Sequence, residues 1–309
     1  MEPGQFIQFW LYFALLSGPI RELGEKYNVL QAAFASCERI FQLLEEPSFP
    51  ATLASQPTTP TDPRRGIASI TFEDVTFAYG DGPTVLNGIS FHAKPGETIA
   101  IVGPTGAGKT TLLSLVSRLR EVGSGRVLVD DVDVRDHDIS RLRRRIAFVA
   151  QDLFLFTGTV LENIRLFDPK IAEARVWRAL ETVGAAEFVR ALPDGLQAKV
   201  AERGATFSQG ERQLLSFARA LVVDPDVLVL DEATASIDSE SEERLQRALK
   251  TALRDRTALV VAHRLSTVRD AHQILVLDEG KISESGTHDE LVRLGGHYAS
   301  MTKLAAARS

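Results

Sequence analysis

The spacing of hydrophobic residues changes twice along this chain. A nearly continuous apolar run over 6–16 is followed by apolar residues at roughly helical spacing, which predicts an amphipathic helix over 19–44. Two later segments alternate apolar and polar side chains, which predicts antiparallel strands at 69–77 and 84–91. Short, fully apolar segments separated by helical patterns then predict a parallel sheet covered on both faces. These strands are expected at 98–102, 146–150, 227–230, 259–262 and 274–277.

The segment 46–66 differs from both of its neighbours. It holds five prolines among serines and threonines, a composition typical of an extended, weakly structured linker. The pattern predicts three parts: an apolar helical segment over 1–45, the linker over 46–66, and one α/β domain over 67–309.

Composition limits the possible classes of protein. The chain has 309 residues, of which 44% are hydrophobic and 25% charged, as expected for a globular protein with a sizeable core. Its net charge of -6 and pI near 5.6 argue against a general nucleic-acid binder. Cys37 is the single cysteine, so no internal disulfide can form, which fits a cytoplasmic environment.

The apolar run at the amino end allows two interpretations. It is shorter than the roughly 20 residues that a membrane-spanning helix needs. It also lacks the basic region and the small-residue cleavage site of a signal peptide. The helix over 1–45 is therefore either a core helix of a soluble domain or the cytoplasmic end of a membrane helix whose upper part is missing.

The segment from Gly103 to Thr111 fits the phosphate-binding loop pattern, a glycine, four residues and then Gly-Lys-Thr. A predicted strand precedes it and a predicted helix follows it. Its glycines let backbone amides and the positive helix end face a polyphosphate. Lys109 can then reach the β- and γ-phosphates, and the Thr110 hydroxyl can ligate Mg²⁺. The nucleotide-binding residues of this loop are Gly103, Pro104, Thr105, Gly106, Ala107, Gly108, Lys109, Thr110 and Thr111.

Further polar residues follow the predicted parallel strands, whose carboxyl ends share one ligand-binding edge. Asp231 and Glu232 end one strand, which makes Asp231 a candidate Mg²⁺ partner and Glu232 a candidate base for an attacking water. Gln151 can ligate Mg²⁺ or water, and His263 can contact a γ-phosphate. Tyr79 offers an aromatic face to a purine. Taken alone, Gln151 and His263 are more often capping or loop side chains, and Tyr79 is more often a core residue.

Residues 67–309 resemble the ATPase domain of ATP-binding-cassette (ABC) proteins. The discriminating motif is the signature-like segment 207–213, which leads into a predicted helix at 214–221. The resemblance implies a phosphate-loop NTPase fold with a parallel sheet, an antiparallel β subdomain and a helical subdomain. It also implies ATP and Mg²⁺ as cofactors, with Thr110, Gln151 and Asp231 at the metal. The roles it carries over are Tyr79 for adenine stacking, Gln151 for the Q-loop, Asp231 and Glu232 for Mg²⁺ and base, Asp238 for the D-loop and His263 for the switch.

Within this family the chain resembles the exporter branch. Segments 151–160 and 162–164 resemble the exporter Q-loop, which faces the coupling helices of the membrane domain, and 201–204 resembles the exporter X-loop. Segment 30–41 resembles the end of the last membrane helix. The resemblance therefore implies the carboxyl-terminal piece of a fused exporter subunit in the cell membrane, with a cytoplasmic ATPase domain and without five of the usual six membrane helices.

The signature departs from the usual Leu-Ser-Gly-Gly-Gln. Ser208 and Gly210 remain, and the family places them against the γ-phosphate held by a second domain. Phe207, Gln209 and Glu211 differ, which places a carboxylate near a phosphate and adds bulk where Gly allows close approach. Similar signatures occur in one subunit of bacterial heterodimeric drug exporters. A different ABC subunit is therefore the favoured partner, with a homodimer left open.

Two other functions stay open from the sequence. One is a soluble ABC ATPase that acts on nucleic acid or ribosomes, although the chain has neither a coiled-coil insertion nor a basic face. The basic run 141–145 is better explained as a solvated helix face, so no nucleic-acid partner is expected. The other is a nucleotide-binding fragment that transports nothing. A drug-like or lipid-like cargo is suggested only by analogy with the branch.

Overall fold

The computed structural model describes residues 3–45, 66–150, 154–231, 239–262 and 268–306, with the backbone alone at 239–242 and 304–306. The chain divides into two compact units, Met1–Ala54 and Ser55–Ser309. The helices are α1 (Pro3–Glu45), α2 (Lys109–Val116), α3 (Ile139–Arg145), α4 (Val160–Arg165), α5 (Glu173–Thr182), α6 (Ala186–Ala191), α7 (Gln209–Leu221), α8 (Ser239–Leu253), α9 (His288–Leu294) and α10 (His297–Ala306). The strands are β1 (Ile70–Ala78), β2 (Thr84–Ala93), β3 (Thr98–Val102), β4 (Ser124–Val129), β5 (Val132–Asp133), β6 (Ile146–Val149), β7 (Gly158–Thr159), β8 (Lys199–Val200), β9 (Val227–Asp231), β10 (Thr257–Val261), β11 (Gln273–Asp278) and β12 (Lys281–Gly286).

The described residues of the first unit form a single long helix, α1, whose side chains are all exposed. The helix α1 begins at Pro3 and continues through Pro19, so the amphipathic helix predicted over 19–44 is the later part of a longer helix. A proline inside a helix removes one backbone donor, here the one that would bond to the Leu15 carbonyl, and its ring crowds that carbonyl, yet the turns on both sides of Pro19 are helical. None of the helices in the described ranges is both long enough and apolar enough to cross a membrane.

An antiparallel sheet opens the second unit, with strand order β2-β1-β4-β5. The prediction of antiparallel strands from the two alternating segments is confirmed, since β1 runs antiparallel to β2 with Phe72 opposite Phe91. These two rings stack with centroids 4.6 Å apart, and they belong to a buried core shared with α2 and the larger sheet. The alternating pattern is therefore explained by one face buried against that core.

A six-stranded sheet forms the centre of the second unit, with strand order β12-β11-β3-β10-β9-β6. The predicted parallel strands are confirmed, because β11, β3, β10, β9 and β6 all run in the same direction. Their carboxyl ends lie at one edge of the sheet. Only β12 is antiparallel in this sheet. It lies at the sheet edge with alternating exposed and half-buried residues, and it was not among the predicted strands.

Helices α4 to α7 and the short β7-β8 ribbon form a helical region beside this sheet. Its central element is α7, which contacts α4, α5 and α8. A second buried core joins these helices to the facing side of the large sheet. This mixture of a parallel sheet, an antiparallel sheet and a helical region is the fold that the sequence predicted.

Candidate functional site

The predicted phosphate loop connects β3 to α2 at the carboxyl edge of the large sheet. Its glycines have positive φ angles of 151° at Gly103 and 98° at Gly108. A Cβ at Gly103 would collide with the Leu277 carbonyl, and one at Gly108 would lie 2.7 Å from Leu86 Cδ2. Both positions therefore need glycine for backbone conformation and for space. The result is a close-fitting backbone cradle at the amino end of α2, where an anion is favoured.

Lys109, the first residue of α2, is folded over this cradle. Its Nζ donates hydrogen bonds to the carbonyl oxygens of Gly103, at 2.9 Å, and Pro104, at 2.7 Å. Burial lowers the pKa of Lys109, and the negative charge of Asp231 partly offsets that effect. The ammonium is thus held at the mouth of the loop by neutral acceptors. Phosphate oxygens can replace these acceptors with a stronger, charge-assisted partner.

Asp231 ends β9 and is buried, with 7% of its surface exposed. It pairs in register with Val261 of β10, which on its other side pairs with Ile101 of β3, just before the loop. The strand register therefore places Asp231 at the same sheet edge as the phosphate loop, with β10 between them. Its electrostatic effect on Lys109 follows from the same arrangement.

The chemistry of this edge fits Mg²⁺. Thr110 presents an exposed hydroxyl next to Lys109, and Asp231 supplies a carboxylate, both of which are hard oxygen donors. In the described ranges no group of three or more His, Cys, Asp or Glu side chains could hold a metal by itself. Mg²⁺ at phosphate sites needs only one or two protein ligands, since water and substrate phosphates complete its shell.

Tyr79 follows β1 and is 45% exposed. Its hydroxyl and the Thr111 hydroxyl form a hydrogen bond of 2.9 Å, which fixes the ring beside the first turn of α2. Phe77 contacts the ring in a T-shaped arrangement with centroids 4.9 Å apart. An anchored, half-exposed aromatic ring thus lies next to the phosphate loop, where the base of a bound nucleotide would need a stacking surface.

The signature-like segment forms the start of α7, which begins at Gln209 rather than at the predicted Leu214. Ser208 Oγ accepts a hydrogen bond from the Glu211 amide, at 3.2 Å, and the Glu211 carboxylate accepts one from the Ser208 amide, at 2.8 Å. This reciprocal pair is a capping box. The departure at Glu211 therefore has a structural role that the sequence analysis missed, although the Ser-x-x-Glu spacing is its recognised signal.

The X-loop segment lies directly before this helix. Gly204, with φ 70°, leaves room for Arg212 Cδ, which a Cβ would approach to 2.9 Å. The Phe207 amide donates to the Gly204 carbonyl, and Arg212 Nη1 donates to the Phe207 carbonyl at 2.8 Å. The loop and the start of α7 consequently form one hydrogen-bonded unit.

A second feature missed from the sequence connects α7 to α4. Arg219 of α7 donates to the carbonyl of Asn163, at 3.0 Å, to its side-chain oxygen, also at 3.0 Å, and to the carbonyl of Phe154, at 2.8 Å. Asn163 is 1% exposed and also bonds the backbone of Phe156 in both directions, at 2.8 Å. Burial lowers the pKa of Arg219. No local spacing links these residues, which lie 56 positions apart.

Four residues proposed from the sequence, Gln151, Glu232, Asp238 and His263, lie outside the described residues. The strands that precede three of them are described. β6, β9 and β10 end at Val149, Asp231 and Val261 on the edge that carries the phosphate loop. The roles of these four residues stay predictions.

Residues 86–235 match the family model described as "ABC transporter". The chain belongs to the ABC transporter family and carries its ATP-binding domain.

Particular relatives are similar over almost the whole chain. It is 44% identical to the uncharacterized ABC transporter ATP-binding protein YknV of Bacillus subtilis, with 97% of this chain and 49% of that protein covered. It is 43% identical to a fatty acid ABC transporter ATP-binding/permease protein of Mycobacterium bovis, over 97% of this chain and 47% of that protein. An ATP-dependent lipid A-core flippase of Nitrosococcus oceani is also 43% identical, over 97% and 50%.

The chain is also similar to a solved structure of an ABC exporter. A bacterial Atm1-family ABC exporter with ATP bound has a TM-score of 0.73 and 37% identity, over 80% of this chain and 44% of that one. The chain spans about half the length of the curated relatives that it matches. These relatives are transport proteins and give no support to a soluble ATPase that acts on nucleic acid or ribosomes.

Proposed function

We propose that this chain is the ATP-hydrolysing part of an ABC exporter subunit, which couples hydrolysis to the efflux of a drug-like or lipid-like substrate. The observation that carries the proposal is the glycine cradle with Lys109 and Asp231 at one sheet edge, in the same unit as the capped signature helix α7. The named functions of the relatives, fatty acid and lipid A transport among them, suggest the class of cargo.

The residues have distinct roles in this proposal. The loop amides and Lys109 bind the phosphates and stabilise the charge that develops during transfer. Thr110 and Asp231, with Gln151, would hold Mg²⁺, which neutralises phosphate charge when it is bound. Glu232 would accept a proton from the attacking water, and His263 would contact the γ-phosphate. Ser208 and Gly210 would contact the γ-phosphate on a second ABC domain, with Gln209 and Glu211 beside it and Asp238 between the two domains.

An exposed aromatic surface supports docking to a membrane domain. Phe154, Phe156 and Phe167 form a cluster with centroids 5.0 Å and 6.1 Å apart, and each ring is 43–49% exposed. Leu166 and Phe167 have positive φ angles of 50° and 59°, a strained conformation that tends to occur at functional sites. We propose that this surface receives the coupling helices of a transmembrane domain.

The domain boundaries belong to the same proposal. Residues 1–45 would be the cytoplasmic end of the last membrane helix, 46–66 its linker, and 67–309 the ATPase domain. The ATPase domain would then lie on the cytoplasmic side of the cell membrane. The exposed apolar side chains along α1 support the assignment of the first part.

Nucleotide titration and phosphate release test this function. Lys109→Ala should weaken ATP binding at least about tenfold, because it removes a charge-assisted contact to phosphate. Lys170→Ala is the matched control, since Lys170 is exposed and is not one of the predicted site residues. Unchanged ATP affinity in Lys109→Ala would contradict the site.

A second variant, Glu232→Gln, tests the hydrolysis step. Glu232→Gln should keep ATP binding and lower turnover about 10²- to 10⁴-fold, because the base is lost while Asp231 remains. Steady-state phosphate release near the wild-type rate in this variant would contradict the proposal that Glu232 is the catalytic base. A wild-type chain that binds ATP and shows no turnover, even with its membrane domain and partner supplied, would favour the non-transporting fragment.

A further inference from the structure

We propose that Arg120 is a further nucleotide-binding residue, which stacks on the Tyr79 ring and favours ligands that carry an aromatic base. The proposal rests on the ATP site of the proposed function and adds to it a side chain that determines specificity. It is carried by the contact between the Arg120 guanidinium and the Tyr79 ring, where the guanidinium carbon lies 5.4 Å from the ring centroid.

The position of the ring gives this contact its meaning. The hydrogen bond between the Tyr79 and Thr111 hydroxyls, 2.9 Å long, holds the ring against the first turn of α2. Lys109 starts that turn and points to the phosphate cradle. Arg120 lies four residues beyond the last residue of α2, Val116. The helix therefore brings a phosphate-binding group and an arginine-backed aromatic ring into the same site.

The positive charge of Arg120 is not paired with a carboxylate among the described residues. Its neighbour Arg118 is buried and forms an ion pair with Glu121 at 3.0 Å. Glu121, the nearest acid in sequence, is thus already engaged. In the part of the chain that the structure describes, no carboxylate lies within ion-pair distance of Arg120, and its guanidinium contact is with Tyr79. A net positive charge consequently remains at the edge of a site expected to take a polyanion.

Two effects of different kind follow from this arrangement. A guanidinium is planar and delocalised, so it can cover one face of an aromatic ring while a base stacks on the other. Lysine would keep the charge and lose the planar stack. The charge itself attracts phosphate whether or not the ligand carries a base. Arg120→Lys and Arg120→Ala therefore separate stacking from simple attraction.

The experiment compares ATP with inorganic tripolyphosphate, which has phosphates and no base, by titration calorimetry on the full chain. The variants are Arg120→Lys, Arg120→Ala and Tyr79→Ala, with the exposed Arg144→Ala as control. Arg120→Lys should weaken ATP binding about two- to fivefold and leave tripolyphosphate binding unchanged. Arg120→Ala should weaken both, ATP more strongly. Thermal unfolding should be unchanged in both variants, because Arg120 is exposed.

The outcomes separate this inference from the function on which it rests. Wild-type ATP affinity in Arg120→Lys, or equal losses for both ligands in every Arg120 variant, would show a charge effect alone and overturn the proposal. Tighter ATP binding in Arg120→Ala would also overturn it, because Arg120 would then block the ring. If the wild-type chain binds neither ligand, the ATP site of the proposed function fails instead. Loss of ATP but not tripolyphosphate in Tyr79→Ala would identify the ring as the base-stacking surface.

Discussion

At the scale of single residues, Glu211 combines a structural role with a proposed position beside a partner's phosphate. Its carboxylate accepts the Ser208 amide hydrogen, so it occupies a donor at the amino end of α7. Glutamine can accept the same hydrogen bond without the charge. The free energy of unfolding of Glu211→Gln should therefore lie within about 0.5 kcal/mol of the wild type. That of Glu211→Ala should be lower by about 0.5–1.5 kcal/mol, because the cap is lost.

Urea unfolding of the two Glu211 variants measures this difference. Ser208→Ala serves as the reciprocal variant, since it removes the other half of the box and should cost about 1 kcal/mol. Equal stability of Glu211→Ala and the wild type would show that the cap contributes nothing. The retained stability of Glu211→Gln also makes it a clean variant for testing charge at the signature.

The site residues that could be predicted from the sequence are those that belong to a short local motif or end a predicted strand. The phosphate loop needs glycines at positions such as Gly103 and Gly108, where a side chain would collide or strain the backbone, so a short pattern reveals it. Asp231 was predicted because it ends a fully apolar strand. Arg120 and Tyr79 lie 41 positions apart in sequence, and only the path of the chain brings them together.

At the scale of secondary-structure elements, α7 and α4 are joined through Arg219 and Asn163. Asn163→Ala would leave the Phe156 amide without its acceptor and would remove one of the three acceptors of Arg219. The expected loss of stability is about 1–3 kcal/mol, because a buried backbone donor is left unsatisfied while Arg219 keeps its two backbone acceptors. Urea unfolding of the chain gives the measurement.

A matched arginine pair tests whether the planar fork of Arg219 matters. Arg219→Lys should lose about 1–3 kcal/mol, because a single ammonium cannot reach all three acceptors. Arg178→Lys on the exposed side of α5 should change stability by less than about 0.5 kcal/mol. Losses of the same size in both variants would show that the fork has no special role.

Strands that are buried on both faces were predicted from the sequence, whereas partly exposed elements were missed or misplaced. The parallel strands were found because burial on both faces requires apolar residues throughout. β12 was not, since its sequence has one apolar side chain, Ile282, among polar residues and so resembles a loop. The beginning of α7 was placed five residues late because its first turn is polar, and a polar turn with a Ser cap is what an exposed helix start requires.

At the scale of the whole molecule, the apolar side chains along α1 should govern association. Phe6, Trp10 and Phe13 are each 55–56% exposed, and many of their apolar neighbours are exposed as well. Surfaces of this kind seek a membrane or another protein. A shortened chain that begins at Gly66 should stay monodisperse in light scattering without detergent, while the full chain associates. Equal monodispersity of the two would favour a core helix of a soluble domain.

The pairing of two ATPase domains is the last expectation at this scale. Two half-sites are needed in the proposed function, and a homodimer would place Glu211 and Gln209 beside both γ-phosphates. We therefore expect the shortened chain that begins at Gly66, with Glu232→Gln to trap bound ATP, to remain monomeric with ATP in light scattering. It should form a 1:1 complex with the ATPase domain of a neighbouring exporter gene whose catalytic Glu is replaced and whose signature is standard. Adding Glu211→Gln and Gln209→Gly to Glu232→Gln should allow ATP-dependent homodimers, because both obstacles are removed while the cap remains. An ATP-driven homodimer of Glu232→Gln alone, as tight as that of the triple variant, would exclude the signature as the reason for a heterodimer.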